Sequence, residues 1–141
     1  MGTPHPPGPT ASELVRLAVA YNDALDRCTQ TGGANLDEVM AFFAADAVRV
    51  DVGLGPAPQV SVGAAAIRAG FLRRREQRQV VALKGVDLWG DQIVCRLERR
   101  DASFTRPGVT HNLRVLLVKD GKIAHLTVIV DPDEQRRLRA P

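Results

Sequence analysis

The sequence contains few cysteines, few aromatic residues and no long hydrophobic run, and each absence excludes a class of protein. Only two of its 141 residues are cysteines, Cys28 and Cys95, so a disulfide-rich scaffold is excluded and both are expected to be free, buried thiols. Every apolar run is far shorter than the roughly 18 residues that a membrane-spanning helix needs. No sequence period repeats, which excludes collagen, coiled coils and solenoids. We therefore expect a globular domain with no membrane partner.

The charge balance gives no sign of a nucleic-acid partner. The chain has 19 basic and 16 acidic residues, a formal net charge of +3. Nucleic-acid-binding proteins usually combine a basic surface with aromatic residues, but aromatic residues make up only 4% of this chain. The densest basic run, at 73–78, contains none. This run is typical of the solvated end of a helix, where cations are favourable near the helix dipole.

Motifs for metals and cofactors are also missing from the sequence. The three histidines are scattered without metal-ligand spacing. The sequence has no glycine-rich phosphate loop, no nucleophile elbow and no Cys–His arrangement. We expect neither a metal nor a cofactor.

The first residues differ in composition from the rest of the chain. Residues 1–9 contain four prolines and two glycines, a composition that fits no packed element and predicts a flexible tail. Residues 10–141 are expected to form a single domain. Because the tail does not resemble a secretory signal, the cytoplasm is the default compartment.

Three helices are predicted in the first half of the domain. Thr10 followed by Glu13 forms a capping box, and apolar residues then recur at helical spacing. A second, shorter helix is predicted to start at Asn35, after a pair of glycines. The third is predicted over 63–77, with Phe71 on its apolar side.

The second half of the chain is rich in strand-forming residues. Strands are predicted at 47–52, 80–89, 92–104, 110–118 and 122–130. Asp120-Gly121 is a strong signal for a type I′ hairpin turn. The element order predicts an α+β fold in which three N-terminal helices pack on a strongly curved, mixed or antiparallel sheet. The resulting cone would enclose an apolar pocket, a natural site for a small molecule.

Arg99 and Asp101 are candidate functional residues because they extend an apolar strand face. Successive strand side chains point to opposite faces, which places both residues on the inward face that also carries Leu97. A buried carboxylate needs a partner, and Arg99 lies two residues away. The pair is either a structural ion pair near the end of the sheet or a general acid or base tuned by the guanidinium.

Asp51 and Tyr21 are weaker candidates by pattern alone. In the strand at 47–52 the valines at 48, 50 and 52 share one face, so the alternation places them inside and Asp51 with Arg49 outside. Tyr21 lies on the apolar stripe of the first helix. Its phenol could donate to a substrate oxygen or to a partner in the core.

The element order and several motifs resemble the nuclear-transport-factor-2-like superfamily, which includes SnoaL-type polyketide cyclases, limonene epoxide hydrolase and ketosteroid isomerase. The resemblance covers about residues 11–135. It implies a cone-shaped α+β fold and a homodimer that pairs through the outer face of the sheet. This fold hosts both catalysts and binding domains, so the fold by itself does not give the function.

The segment 97–101, Leu-Glu-Arg-Arg-Asp, is similar to the Glu-Arg-x-Asp stretch of limonene epoxide hydrolase. The resemblance implies that Asp101 protonates the epoxide oxygen and that Arg99 orients it. The hydrolase's water-activating aspartate would fall on Val128, which cannot act as a base. Its water-binding tyrosine and asparagine would fall on Arg49 and Asp51.

A second resemblance, to ketosteroid isomerase, involves the segment Asp-Ala-Val-Arg-Val-Asp at 46–51. It places Asp51 at the isomerase's general base and Tyr21 at the helix tyrosine that supports the oxyanion. The isomerase's protonated aspartate would fall on Arg114.

Together these residues predict a cofactor-independent acid–base enzyme of epoxide hydrolase or cyclase type, acting on a small, largely apolar terpenoid or polyketide. Asp101 is the predicted acid, Arg99 its partner and Asp51 the base. A ketosteroid-isomerase-like proton shuttle and a non-catalytic, dimeric ligand-binding module are the alternatives. The residues predicted to bind substrate are Tyr21, Arg49, Leu97, Phe71, Val128 and Arg114.

Overall fold

The computed structural model describes residues 8–74 and 79–141. In chain order the elements are α1 (Ala11–Gln30), α2 (Leu36–Met40), β1 (Phe43–Val52), β2 (Gln59–Val62), α3 (Ala64–Arg74), β3 (Gln79–Trp89), β4 (Gln92–Asp101), β5 (Thr110–Lys119), β6 (Lys122–Ile129) and α4 (Pro132–Arg139). The predicted α+β class is confirmed. No helix in the described part of the chain is long and apolar enough to cross a membrane.

The six strands form one mixed sheet in the order β2-β1-β6-β5-β4-β3. The predicted antiparallel meander is confirmed, because β3, β4, β5 and β6 pair with their sequence neighbours. At the predicted hairpin turn, Asp120 and Gly121 have φ values of 52° and 75°, the positive values that a type I′ turn requires. β1 runs parallel to β6 and antiparallel to β2.

The predicted capping box starts α1. The Thr10 hydroxyl oxygen accepts from the Glu13 backbone N–H at 3.1 Å, and the hydroxyl donates to the Glu13 carboxylate at 3.2 Å. The buried stripe of α1 includes Leu14, Ala18 and Tyr21. α1 packs on β3 and β4 while α3 packs on β1, so the helices cover one face of the sheet and the core lies between the two layers.

Two elements were not predicted from the sequence. β2 lies at the edge of the sheet directly after the predicted loop at 53–59. α4 follows β6 and begins at Asp131, whose side chain accepts from two backbone N–H groups in the first turn. Its last turn contacts the loop after β4, since Leu138 O accepts from the backbone of Thr105 at 2.7 Å. α4 therefore covers the end of the sheet that the first three helices leave open.

Some predicted features fall outside the described residues. These are residues 1–7 of the predicted tail, residues 75–77 of the predicted third helix, and 75–78 of the basic run. The strand predicted at 92–104 ends at Asp101, and a turn then buries Phe104.

The alternation of side chains on β4 is confirmed, but the prediction for β1 was wrong. On β4 the inward positions are buried as far as Arg99 and Asp101. On β1 the buried positions include Ala47 and Asp51, whose exposed fractions are 0% and 2%. The valines lie on the outer face, half-buried. The alternation failed because α3 packs on the Asp51 face of β1.

Candidate active site

A cavity of about 250 Å³ lies between the inner face of the sheet and the helices. Eight of the nine predicted site residues line it: Tyr21, Arg49, Asp51, Phe71, Leu97, Arg99, Arg114 and Val128. The ninth, Asp101, is buried but does not line the cavity. The lining is more polar than the apolar pocket predicted from the sequence, because it includes four arginines.

Asp51 is the carboxylate on the cavity wall, and Arg49 fixes its orientation. The Arg49 Nε–H donates to Oδ2 at 3.0 Å and Nη2 donates to Oδ1 at 3.0 Å. This two-point geometry is the most directional way for an arginine to hold a carboxylate. The Arg49 guanidinium also lies 5.2 Å from the centre of the Phe71 ring on α3. Packing from α3 therefore holds the pair against the inner face of β1.

Asp51, Val128 and Arg114 form one row across three adjacent strands. Asp51 on β1 is the direct Cα partner of Val128 on β6, and Val128 is the partner of Arg114 on β5. Neighbouring strands lie about 4.8 Å apart, so the Cα atoms of Asp51 and Arg114 are about 10 Å apart. A carboxylate and a guanidinium thus face the cavity on either side of an apolar residue.

Arg114 is a buried cation with neutral partners. Its side chain donates from Nη1 to Asn22 Oδ1 at 3.1 Å, and its guanidinium lies 5.2 Å from the centre of the Tyr21 ring. Burial lowers the pKa of Arg114, but an arginine side chain keeps its charge in proteins. No carboxylate among the described residues forms an ion pair with it within 4.0 Å.

The predicted Arg99–Asp101 pair is present, with Nη2 and Oδ2 2.6 Å apart. Arg99 lines the cavity, and its buried Nε–H has no partner in the described structure. Asp101 also accepts from the Ser103 backbone N–H at 2.8 Å and from the Ser103 hydroxyl. Arg139 on α4 reaches Asp101 Oδ2 at 3.4 Å.

These contacts determine the protonation state of Asp101. Burial raises its pKa, but the hydrogen bonds from Ser103 and the charges of Arg99 and Arg139 outweigh burial and leave the pKa below its ordinary value. The surroundings thus favour the carboxylate, whereas a general acid must carry a proton. The acid role of Asp101 stays a prediction without support from this environment.

Arg139 and Asn112 are two cavity residues that the sequence reasoning missed. Arg139 was missed together with α4, although Asp131-Pro132 followed by acidic and then basic residues is a recognisable helix start and end. Asn112 lies on the buried face of β5 with Thr110 and Arg114, so strict alternation would have placed it inside. Its buried Oδ1 has no partner among the described residues.

Metal ligands are not gathered at the cavity or elsewhere in residues 8–74 and 79–141. No group of three or more His, Cys, Asp and Glu side chains is placed there to hold a metal ion. Among the described residues, the polar groups that the cavity offers are one carboxylate, four guanidiniums, two amides, a hydroxyl, a thiol and a phenol. Such a set can move a proton and stabilise a negatively charged oxygen.

Solved structures with a similar fold include an NTF2-like protein of Mesorhizobium loti, with a TM-score of 0.68 and 15% identity over 89% of this chain and 97% of that one. The chain has the NTF2-like fold. A proposed SnoaL-like polyketide cyclase of Jannaschia sp. CCS1 has a TM-score of 0.72 and 14% identity, and the match covers 98% of this chain and 99% of that one. An LEH-like epoxide hydrolase of M. tuberculosis has a TM-score of 0.69 and 17% identity, and the match covers 92% of this chain and 90% of that one. No protein-family model matches the chain, and no curated protein matches it significantly.

Proposed function

We propose that the protein is a cofactor-independent acid–base enzyme of cyclase type, with Asp51 as the general base. The substrate would be a small, largely apolar molecule, such as a polyketide or terpenoid fragment, enclosed in the cavity. The observation that carries this proposal is the placement of Asp51, the one carboxylate that the described residues contribute to the cavity wall, beside four arginines and several neutral polar groups.

The cavity residues suggest how proton removal would proceed. Asp51 would take a proton from a carbon next to a carbonyl group, and the electrons would move to the carbonyl oxygen. Arg99 lines the cavity, its Nε–H has no partner among the described residues, and its guanidinium would donate to that oxygen. Such donors contribute most when they are fixed in advance in a site that excludes water. Attack of the resulting enolate on a second carbonyl of the same molecule would close a ring, and the proton on Asp51 would then pass to the new alkoxide, which restores the carboxylate. Tyr21, which also lines the cavity, would add a hydrogen bond.

Asp101 would have a positioning role in this scheme. It is buried beside the cavity, bonded to Arg99 and kept ionised by its neighbours. An ionised Asp101 holds the guanidinium in one orientation and leaves its Nε–H free. We therefore propose that Asp101 acts through Arg99.

Epoxide hydrolysis is the second candidate, and one observation favours it. The resemblance to limonene epoxide hydrolase lacks a water-activating carboxylate at Val128. Asp51 is the Cα partner of Val128 on the adjacent strand, so a carboxylate faces the cavity one strand away from the position where that family has its base. Asp51 could activate water there. An isomerase of ketosteroid type would use the same carboxylate as a proton shuttle.

A substrate panel separates these activities from a non-catalytic binding module. Wild-type protein would be incubated with small epoxides, with linear diketo acids and their esters that can cyclise, and with β,γ-unsaturated ketones. We expect turnover of the diketo compounds, whereas turnover of epoxides alone would assign the second candidate. Ligands that raise the melting temperature without any turnover would show a binding module and would overturn the proposal.

We also propose that two copies of the chain pair through the outer face of the sheet. On that face, Leu113 of β5 and Ile129 of β6 are direct partners and are 38% and 37% exposed. Val60 and Val62 of β2 are 61% and 70% exposed. The apolar part of this face, on β2, β5 and β6, can bury itself against its own copy about a two-fold axis, with the charged positions of β3 and β4 beside it. Native mass spectrometry should show a dimer that Leu113→Glu dissociates, and a wild-type monomer at all concentrations would refute the proposal.

A further inference from the structure

Among the described residues, the charges at the cavity do not balance. Four guanidiniums line it, those of Arg49, Arg99, Arg114 and Arg139. Two carboxylates face these guanidiniums: Asp51 pairs with Arg49, while Asp101 is shared by Arg99 and Arg139. Arg114 is left without a carboxylate partner in the described residues.

The surroundings of Arg114 do not supply the missing charge. Its hydrogen-bond partner, Asn22, is neutral and also donates to Val81 O at 3.3 Å. Asp26 on α1 attracts it only from beyond ion-pair distance. A buried cation without a matching anion destabilises the fold. A ligand that brings a negative charge into the cavity would remove this cost on binding.

Two further polar atoms at the cavity lack partners among the described residues. Asn112 Oδ1 and Arg99 Nε are both buried and unpaired, and both residues line the cavity. Asn112 lies two positions before Arg114 on the same inward face of β5. Buried polar groups in native proteins are nearly always satisfied, so these atoms indicate a ligand with polar groups rather than a pure hydrocarbon.

The remainder of the wall is apolar and the space is small. Leu97, Leu126, Val128 and Val130 line the cavity together with Phe71. The volume of about 250 Å³ lies just below the roughly 300–1,000 Å³ of pockets that hold drug-sized ligands. The ligand must therefore be a compact molecule with a hydrocarbon body.

We propose that the cavity binds a small organic acid, whose carboxylate pairs with Arg114 and whose hydrocarbon body packs against the aliphatic wall. This inference rests on the proposed function and names the substrate class of the same site. It assigns Arg114 to recognition of an anion already present in the substrate, and it leaves Arg99 for the oxygen that becomes negative during the reaction.

Binding of matched acids and amides tests the inference without any need for turnover. Cyclohexanecarboxylate and benzoate would be compared by calorimetry at pH 7 with cyclohexanecarboxamide and benzamide, which have nearly the same shape and no charge. We expect each acid to bind at least tenfold more tightly than its amide. Equal affinities, or no binding of either acid, would overturn the inference.

Variants identify the residue responsible. Arg114→Met should abolish the preference for the acid, whereas Arg114→Lys should retain part of it. Arg96→Met is the matched control, because Arg96 lies on the outer face of β4 and pairs with Asp87 at 3.3 Å. It should bind both probes as the wild type does. A preference for the acid that survives in Arg114→Met would contradict the assignment, and the lysine variant decides the matter if the methionine variant does not fold.

Ligand-induced thermal shifts separate recognition from a structural role, because Arg114→Met also removes the hydrogen bond to Asn22 and is destabilised for that reason alone. Benzoate should raise the melting temperature of the wild type by more than it raises that of Arg114→Met. An equal rise in the two proteins would count against the inference.

Asp51→Asn distinguishes a failure of this inference from a failure of the proposed function. The variant removes a negative charge from the cavity, so it should bind the acids at least as tightly as the wild type. Intact acid binding in a protein whose turnover does not depend on Asp51 would overturn only the proposed function. A wild-type protein that binds the acids no more tightly than the matched amides would overturn only this inference.

Discussion

Asp51 and Val128 are direct partners across the parallel pairing of β1 and β6. Both side chains line the same cavity. In a parallel pair such residues lie about 4.8 Å apart at their Cα atoms. The carboxylate that the sequence lacks at 128 therefore has a counterpart on the neighbouring strand, and this relationship gives the first prediction.

Moving the carboxylate from β1 to β6 should move the base. Asp51→Asn should strongly slow turnover of any substrate that the protein accepts, and the double variant Asp51→Asn/Val128→Asp should recover part of the lost rate, because position 128 lies between Asp51 and Arg114. The matched control is Asp51→Asn/Val128→Asn, which has the same size at 128 but no carboxylate. Steady-state rates of the three variants check this, and equal rates in the two double variants would contradict it.

Replacement of Asp101 should alter the position of Arg99 rather than proton donation. The pKa of Asp101 is held below its ordinary value by Ser103 and the two arginines. The dependence of the rate on pH between pH 5 and 9 should therefore have the same shape in the wild type and in Asp101→Asn. The variant should slow the reaction at all these pH values by a similar factor. A limb at neutral pH that is lost in Asp101→Asn would restore the acid role.

His111 and Glu134 should make the attachment of α4 depend on pH. Glu134 accepts from the His111 backbone N–H at 2.7 Å and lies 2.8 Å from its ring Nδ1. This hydrogen bond and the charge of Glu134 raise the pKa of His111 above its usual 6.5. The stabilisation is complete below the ordinary pKa and is lost as the pH rises through the folded-state value.

Urea unfolding at pH 5.5 and pH 8.5 measures this effect. The difference in unfolding free energy between the wild type and His111→Gln should favour the wild type more at pH 5.5 than at pH 8.5. NMR titration should place the folded-state pKa of His111 above 6.5. A difference between the two proteins that is independent of pH would contradict the prediction.

Gly53 should be intolerant of any side chain. It has a φ of 95°, and a Cβ atom there would lie 1.9 Å from Val130 O, so alanine would force the loop after β1 away from the end of β6. We expect Gly53→Ala to destabilise the protein by at least roughly 2 kcal/mol. Gly55→Ala is the control, because its Cβ would meet nothing within 4 Å. Equal melting temperatures for the two variants would refute this.

Period-two alternation predicted the inner face of β4 correctly because only one face of that strand is apolar. Arg99 reaches the cavity as the alternation indicates. The same rule failed on β1, where alanine and aspartate lie inside and valines lie outside. The sequence alone does not distinguish an apolar face that lies outside the sheet from one that lies inside. On β1 the packing of α3 determines which face is buried.

Alternation also could not tell a buried residue from one that lines the cavity. Asp101 is on the predicted face, but the strand ends there and the turn at Ser103 binds its carboxylate. Arg139 depends on a helix that follows the sheet and returns to the loop after β4. Periodicity and turn signals describe only neighbouring residues, so they do not predict contacts between residues so far apart in the chain.

The effect of Asp51→Asn on kcat/KM decides whether Asp51 is the general base. Asp87→Asn is the matched control, because Asp87 also pairs with an arginine but lies on the outer face of β3, half exposed. With any substrate that the wild type converts, Asp51→Asn should lower kcat/KM by roughly a hundredfold or more, while Asp87→Asn should leave it unchanged. An Asp51→Asn protein that is folded and as active as the control would contradict the account.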